Sequence, residues 1–570
     1  MFPPKRGAAR RIAALYASVC VLILALAAGG CNFNPTPVLP EPTKTPVRTA
    51  TPTQPPRAPG GTLTVRMAGD VQSFNPWLTA GNTDSENISG LLFSGLTRLD
   101  NHLMPVPDLA ESWDVSEDGT SIVFHLRSGV LWHDGKPFTA EDVVWSYKIL
   151  TGIRTDNPSQ LHILDTVASV DAIDPVTTTV RFKLKRRYSP LLADLSVAIL
   201  PSHILSGTTP QELAESPFNA SPVGTGPFTF EKHTVGESVI LKANPRYFGG
   251  APALERVGFL VADEPTAVQA IQDGKLLFAR LSPGAAEQVV KDTPGSRGGA
   301  YDELGYDFVA FNLRAPRPFS DTRLRKAWAL ALDKPGLAFQ ATGGGGDPLW
   351  SDVNKASWAY NLGVSTLGGN PDEARRLIAE AGWQDTNGDG IVEKAGKPLE
   401  VSLFVRPDNA VRRKAAEGMV APLARVGIRV RVELADFNTA LLARISPLSR
   451  PPFDFDVALL GWTRRSVDPD PFALFHSSQI PTEAAPGLLN FTGFAAPEYD
   501  SLVLEANSTY DFGRRKELYA RLQAITAGEL PYYFLWAEKF GLVAGPKLKG
   551  DIDFSSPRYL WNAAQWYIEP

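Results

Sequence analysis

Residues Pro107–Leu150 read PDLAESWDVSEDGTSIVFHLRSGVLWHDGKPFTAEDVVWSYKIL. Ile122, Phe124 and Leu126 share one face of a strand predicted over Ser121–Leu126, because alternate side chains point the same way. Thr139-Ala-Glu-Asp142 then reads as a capping-box-like helix start, with Asp142 in place of the usual Glu. Behind it Val143, Val144, Tyr147 and Leu150 recur at helical spacing.

Working outward, the same two periods alternate along the chain. Leu63, Val65 and Met67 alternate with Thr62, Thr64 and Arg66, which predicts a half-buried strand at the start of the folded part near Gly60. Asn370-Pro371 is an N-cap and first-turn pair. Ala374, Leu377, Ile378 and Ala381 line one helix face, and Gly382 stops it. Residues 411–426 read as helical, with a kink or break expected at Pro422. Gly427 ends that segment, and Ile428, Val430, Val432 and Leu434 alternate in a following strand. Strands mixed with helices in this way predict an α/β protein. The chain has 570 residues, 44% hydrophobic and 21% charged, enough for several domains around a large core. A net charge of only −5 gives no basic field for nucleic acid.

The Pro107–Leu150 stretch resembles the most diagnostic segment of the family-5 bacterial solute-binding proteins, whose members serve ABC importers of oligopeptides, dipeptides and nickel. Five further pieces match in order: VGTGPF at Val223–Phe228, NPRYF at Asn244–Phe248, VAFNLRAPRPFSDTRLRKAWALALD at Val309–Asp333, AGWQDTNGDGIVEKAGKPL at Ala381–Leu399 and GWTRRSVDPDPFALFHS at Gly461–Ser477. The resemblance implies a two-lobed fold of the periplasmic-binding-protein type II, in its large variant with an extra subdomain in lobe I. Lobe I is expected over residues 60–308, with 535–570 returning to it, and lobe II over 309–534. Two connecting strands, near Phe308–Leu313 and Phe534–Leu542, would form the hinge. The implied partners are a peptide or other small solute, an ABC permease and its ATPases. A monomer without cofactor is expected.

The amino-terminal residues carry an address. Lys5, Arg6, Arg10 and Arg11 precede an apolar run, Ile12–Ala28, and the small residues Ala27-Ala28-Gly29-Gly30, followed by Cys31. This is the pattern of a secretory signal over residues 1–30; an uncleaved membrane anchor is the alternative. The segment resembles a bacterial lipobox in which Cys31 takes the lipid, although Ala28 stands where Leu is usual. Loss of four basic residues would take the net charge from −5 to −9. The other cysteine, Cys20, would leave with the signal, so no disulfide is expected. Residues 34–59 then hold nine Pro and six Thr in 26 positions. Such a segment cannot build a core and favours extended polyproline II, reaching roughly 80 Å at about 3.1 Å per residue. It reads as a linker over 31–59, either a stalk from an anchored Cys31 or an inert tail. The chain is thus expected in the cell envelope, on the outer face of the cytoplasmic membrane.

Few segments suggest chemistry. Gly224-Thr225-Gly226 lacks the Lys-Ser/Thr of a phosphate loop and reads as a turn. The run Gly343–Gly346 reads as a mobile surface loop, the alternative being close approach to a ligand. Asp385, Asn387 and Asp389 resemble the start of a calcium loop, but position twelve is Gly396, so a hairpin turn is favoured and no metal is expected. His133-Asp134-Gly135 falls inside the diagnostic stretch and looks like a turn. The seven histidines show no zinc spacing. No nucleophile elbow, zinc-protease motif or reactive cysteine is found, so no enzyme is expected.

The most informative segment for the ligand is Trp462–Asp470. In peptide-binding members of the family an Asp three residues after this Trp pairs with the peptide amino terminus. Here that position is Arg465, beside Arg464. A guanidinium repels an ammonium and favours a carboxylate or phosphate. Alternatively, Arg465 faces solvent or pairs with Asp468 or Asp470. Further cleft residues expected by position are Phe74, Asn75 and Trp77 after the first strand, and Asn312 and Trp536 near the hinge strands.

Overall fold

The computed structural model describes residues 60–78, 83–153, 157–174, 178–449, 451–462 and 467–569. The signal, Cys31, the linker, Arg464 and Arg465 lie outside the described residues. Among the described residues no helix is long and apolar enough to cross a membrane.

Ser121–Leu126 is a strand, with Ile122 and Phe124 fully buried and Leu126 nearly so. It belongs to a separate four-stranded sheet ordered Ala110–Val115, Ser121–Leu126, Thr179–Leu184, Val167–Asp174. The helix Ala140–Leu150 packs on that sheet through the buried Val143, Tyr147 and Leu150. Its start is fixed as the capping pattern predicts. The Thr139 backbone N–H donates to the Asp142 carboxylate at 2.8 Å. The same buried carboxylate also accepts from Ser202 N–H and Oγ–H (3.0 and 2.6 Å) and from the Trp132 indole at 3.3 Å. A short Asp thus replaces Glu while joining three segments. This is the extra subdomain.

The turn Gly224–Gly226 is structural. A Cβ on Gly224 would lie 1.9 Å from the Leu92 carbonyl oxygen, and one on Gly226 2.4 Å from that of Leu91. His133 is built into it. The Gly224 N–H donates to its Nδ1 at 3.1 Å, which places the ring proton on Nε2, and Nε2–H donates to the Gly226 carbonyl at 3.1 Å. Burial pushes the His133 pKa down to about 4, so the ring is neutral.

The larger sheet has twelve strands. Its path runs Arg429–Leu434, Glu400–Val405, Val457–Trp462, Tyr306–Phe311, Tyr532–Ala544, Phe278–Leu281, Thr62–Met67, Arg256–Val261, Ser238–Ala243, Phe228–Thr234. The thirteen-residue strand Tyr532–Ala544 runs through the middle. Its first part pairs antiparallel with Tyr306–Phe311 and Gly346–Pro348, and its second with Phe278–Leu281 and Arg297–Asp302. Tyr532–Ala537 are all buried, Glu538 is exposed, Lys539 and Phe540 are half-buried, and Gly541–Ala544 are buried again. The apolar core divides at the same place. Leu63 to Tyr301 cluster with Leu542–Trp566, whereas residues from Tyr306 onward cluster with Tyr532–Trp536. These are the two lobes of a mixed α/β protein.

Three sequence readings are modified. The helix Ala410–Ala424 runs through Pro422 without a break. The proline removes one bond, to Gly418, near the helix end, so the loss is small. Gly343–Gly346 is not a simple surface loop. Gly343 caps the helix Lys334–Thr342 in the left-handed conformation, and Gly346 pairs with Glu538, where a Cβ would press on Trp536 at 3.0 Å. In the strand Arg429–Leu434 the alternation ends early, with Leu434 60% exposed.

Candidate functional site

The strands Tyr306–Phe311 and Val457–Trp462 pair antiparallel, with Tyr306 opposite Trp462 and Asp307 opposite Gly461. Trp462, at the strand end, is half-buried and stacks on Phe308 with ring centres 6.0 Å apart. Its indole nitrogen is enclosed and has no partner among the described residues. Beside it, Asp307 Oδ1 accepts from Arg412 Nε and Nη2 at 3.1 and 2.7 Å. Burial raises the Asp307 pKa and Arg412 opposes the rise. A Cβ on Gly461 would fall 2.0 Å from Arg412 Nη2 and 2.2 Å from Asp307 Oδ1. The Gly before Trp462 is therefore required by this ion pair.

Asp468 is buried and belongs to a charge pair. Its Oδ1 accepts from Arg515 Nη2 at 2.8 Å and from Tyr519 Oη at 3.0 Å. Arg515, 1% exposed, also donates to the Ala506 carbonyl and lies over Trp358. Burial lowers its pKa, but Asp468 and Tyr519 together outweigh burial and keep the guanidinium charged. Asp470 Oδ2 accepts from Tyr188 Oη (3.0 Å) and Asn507 Nδ2 (2.9 Å), and its Oδ1 accepts the Phe472 N–H. Both carboxylates thus have partners other than Arg464 and Arg465.

The remaining expected residues are not gathered around Trp462. Phe74, Asn75 and Trp77 lie in the first lobe's core, at most 3% exposed. Phe74 packs on Phe230 and His233, Asn75 donates to Asn219 Oδ1 at 3.0 Å, and the Trp77 indole donates to the Ala198 carbonyl at 2.8 Å. Asn312 is buried and donates to the Phe453 and Phe455 carbonyls. Trp536 is buried in the second lobe and stands opposite Asp307 in the strand register. Of these, only Trp536 shares a neighbour with the Trp462 region, through Asp307.

Asp385, Asp389 and Glu393 bring carboxylate oxygens within 4.8 Å of one another. Asp385 already accepts the Gly388 and Gly390 N–H groups, and Glu393 accepts from Thr386 and Asn387. These are the bonds of a turn before the hairpin Glu393–Lys394 and Lys397–Pro398.

Sequence reasoning missed Arg515, Tyr519, Asn507, Tyr188 and Arg412. The paired carboxylates of Asp468-Pro-Asp470 were the one available signal. Their partners sit 47 and 282 residues away for Arg515 and Tyr188, with no motif around them.

The family model described as bacterial extracellular solute-binding proteins, family 5 (middle), matches residues 104–481. The oligopeptide-binding protein AppA of Bacillus subtilis is 31% identical over 519 residues, covering 89% of this chain and 92% of that protein. The structure of that protein in complex with a nonapeptide superposes with a TM-score of 0.65, covering 90% of this chain and all of the other. NikZ of Campylobacter jejuni, solved with Ni(L-His), is 27% identical with a TM-score of 0.66, covering 89% of this chain and 99% of the other. The chain belongs to the family-5 bacterial extracellular solute-binding proteins. The two-lobed fold and the role of solute-binding subunit of an ABC importer, both expected from the resemblance, agree with these relatives.

Proposed function

We propose that this chain captures a peptide or peptide-like solute between its lobes, releases it unchanged to a membrane permease, and is held at the membrane by lipid on Cys31. The observation that carries the reading is the strand Tyr532–Ala544, one continuous strand shared by two separate cores, with its less buried span at Glu538–Phe540. A short, less buried span between two cores is where a hinge motion is absorbed. We take lobe I as residues 60–308 with 535–570 and lobe II as residues 309–534, save that Tyr306, Phe308, Leu535 and Trp536 pack with the second lobe's core. The nonapeptide-bound relative supports a peptide as solute. The enclosed indole N–H of Trp462 is a donor that a peptide carbonyl or carboxylate would satisfy. Arg465 is assigned to the ligand side, where it disfavours an ammonium and selects an anionic group.

The test is thermal denaturation with unprotected nonapeptides, N-acetylated nonapeptides and free dicarboxylates. A ligand at a hundred times its dissociation constant adds about 2.7 kcal/mol. Stabilisation by acetylated peptides or dicarboxylates, lost in Arg465→Ala, is expected. Stabilisation by unprotected peptides alone, unchanged in that variant, would remove Arg465 from the site.

A further inference from the structure

The lobes also meet away from the strand they share. From the first lobe, Gly119 and Arg187–Ser189 face Asp470, Ala506–Ser508 and Tyr510 of the second. Tyr188 Oη donates to Asp470 Oδ2 at 3.0 Å, and Asn507 Nδ2 donates to the same oxygen at 2.9 Å. The Ser189 N–H donates to the Asn507 carbonyl at 2.7 Å, and Ser189 Oγ to that of Ala506 at 3.3 Å. Arg187 Nε donates to the Ser508 carbonyl at 3.2 Å, and Tyr510 Oη to that of Gly119 at 3.2 Å. Five bonds therefore cross between chain segments that no strand joins.

Two properties distinguish this joint from a permanent core. Beside the packing of Tyr188 and Tyr510 on the first lobe's core, it carries hydrogen bonds each worth about 1 kcal/mol net, because water replaces them on separation. It is also incompletely satisfied. Asp468 Oδ2 and Asn507 Oδ1 are enclosed without a partner among the described residues. Opening would hydrate both, which lowers its cost. Charge is also shared across the joint: burial raises the Asp194 pKa in the first lobe, Asp468 of the second adds to the rise, and His162 opposes it.

We propose that Tyr188, Ser189, Asp470 and Asn507 form a breakable latch that opposes lobe opening and sets how long a bound solute is held. The latch rests on the solute-capture reading for its purpose, but not for its test. The Ser189 amide, bonded across the joint, reports opening through hydrogen exchange in the free protein. The Gly224 amide, bonded to His133 within the first lobe, reports unfolding. Tyr188→Phe and Asp470→Asn keep the side-chain volume and remove the cross-lobe bond or its charge. Each is expected to speed exchange at Ser189 about tenfold, leave Gly224 unchanged, and speed dissociation of a C-terminally labelled randomised nonapeptide pool by a similar factor. Wild-type exchange at Ser189 in both variants, or equal acceleration at Ser189 and Gly224 in both, would overturn the latch. Failure of the pool to bind wild-type protein would sink the peptide reading while the exchange comparison still decided the latch.

Discussion

His133 is half-buried and Asp468 fully buried, and the two polar side chains are satisfied differently. Both His133 nitrogens are bonded inside one lobe, against glycines that tolerate no Cβ. Asp468 has one oxygen bonded to Arg515 and Tyr519, and the other has no partner among the described residues. Its neighbour Asp470 reaches across to Tyr188 in the other lobe. Complete satisfaction suits a part that stays fixed. Partial satisfaction suits a boundary that exchanges protein contacts for water.

The largest expected effect would break the Asp468 side of this comparison. Arg515→Met leaves a buried carboxylate without its cation, and should cost about 3–5 kcal/mol in denaturant unfolding. A loss under about 1 kcal/mol would show that water already reaches Asp468. Next is Gly224→Ala, which drives a methyl into the Leu92 carbonyl and should cost about 3 kcal/mol or prevent folding. An unchanged melting temperature would contradict the rigidity assigned to the His133 turn.

A pH series sharpens the same point. The His133 pKa is lowered by burial, so the unfolded chain binds the extra proton. Its contribution to stability is complete above the ordinary histidine pKa near 6.5 and is lost as pH falls from there through about 4. His133→Asn should therefore flatten the stability slope between those values by up to about 1.4 kcal/mol per pH unit. Parallel slopes would show that the ring is not held neutral. The smallest effect is that of Tyr188→Phe on global stability, about 1 kcal/mol in chemical denaturation. A loss of several kcal/mol would make Tyr188 part of a fixed core.

Local patterns were legible in the sequence wherever a short-range rule decides the structure. The strand Ser121–Leu126, the Thr139–Asp142 helix start, and the Asn370 cap with Gly382 as stop all follow from neighbours within four residues. Pro422 passed through its helix because the penalty of one lost bond is easily outweighed by the packing of Ala415, Ala416, Met419 and Leu423. The polar joint was not legible. Tyr188 and Asp470, or Asp468 and Arg515, become neighbours only once two cores have formed, and a lone Tyr or Arg carries no signal of its partner. Phe74, Asn75 and Trp77 follow the first strand as expected, but their side chains are engaged within the first lobe's core.

On this reading, two cores sharing the strand Tyr532–Ala544 close on a solute without altering it. Small-angle scattering of the purified chain, with and without a randomised nonapeptide pool and with mass spectrometry of the peptides afterwards, tests it most directly. A smaller radius of gyration on saturation and peptides recovered intact are expected. An unchanged radius with peptide bound, or cleaved peptides, would contradict this reading.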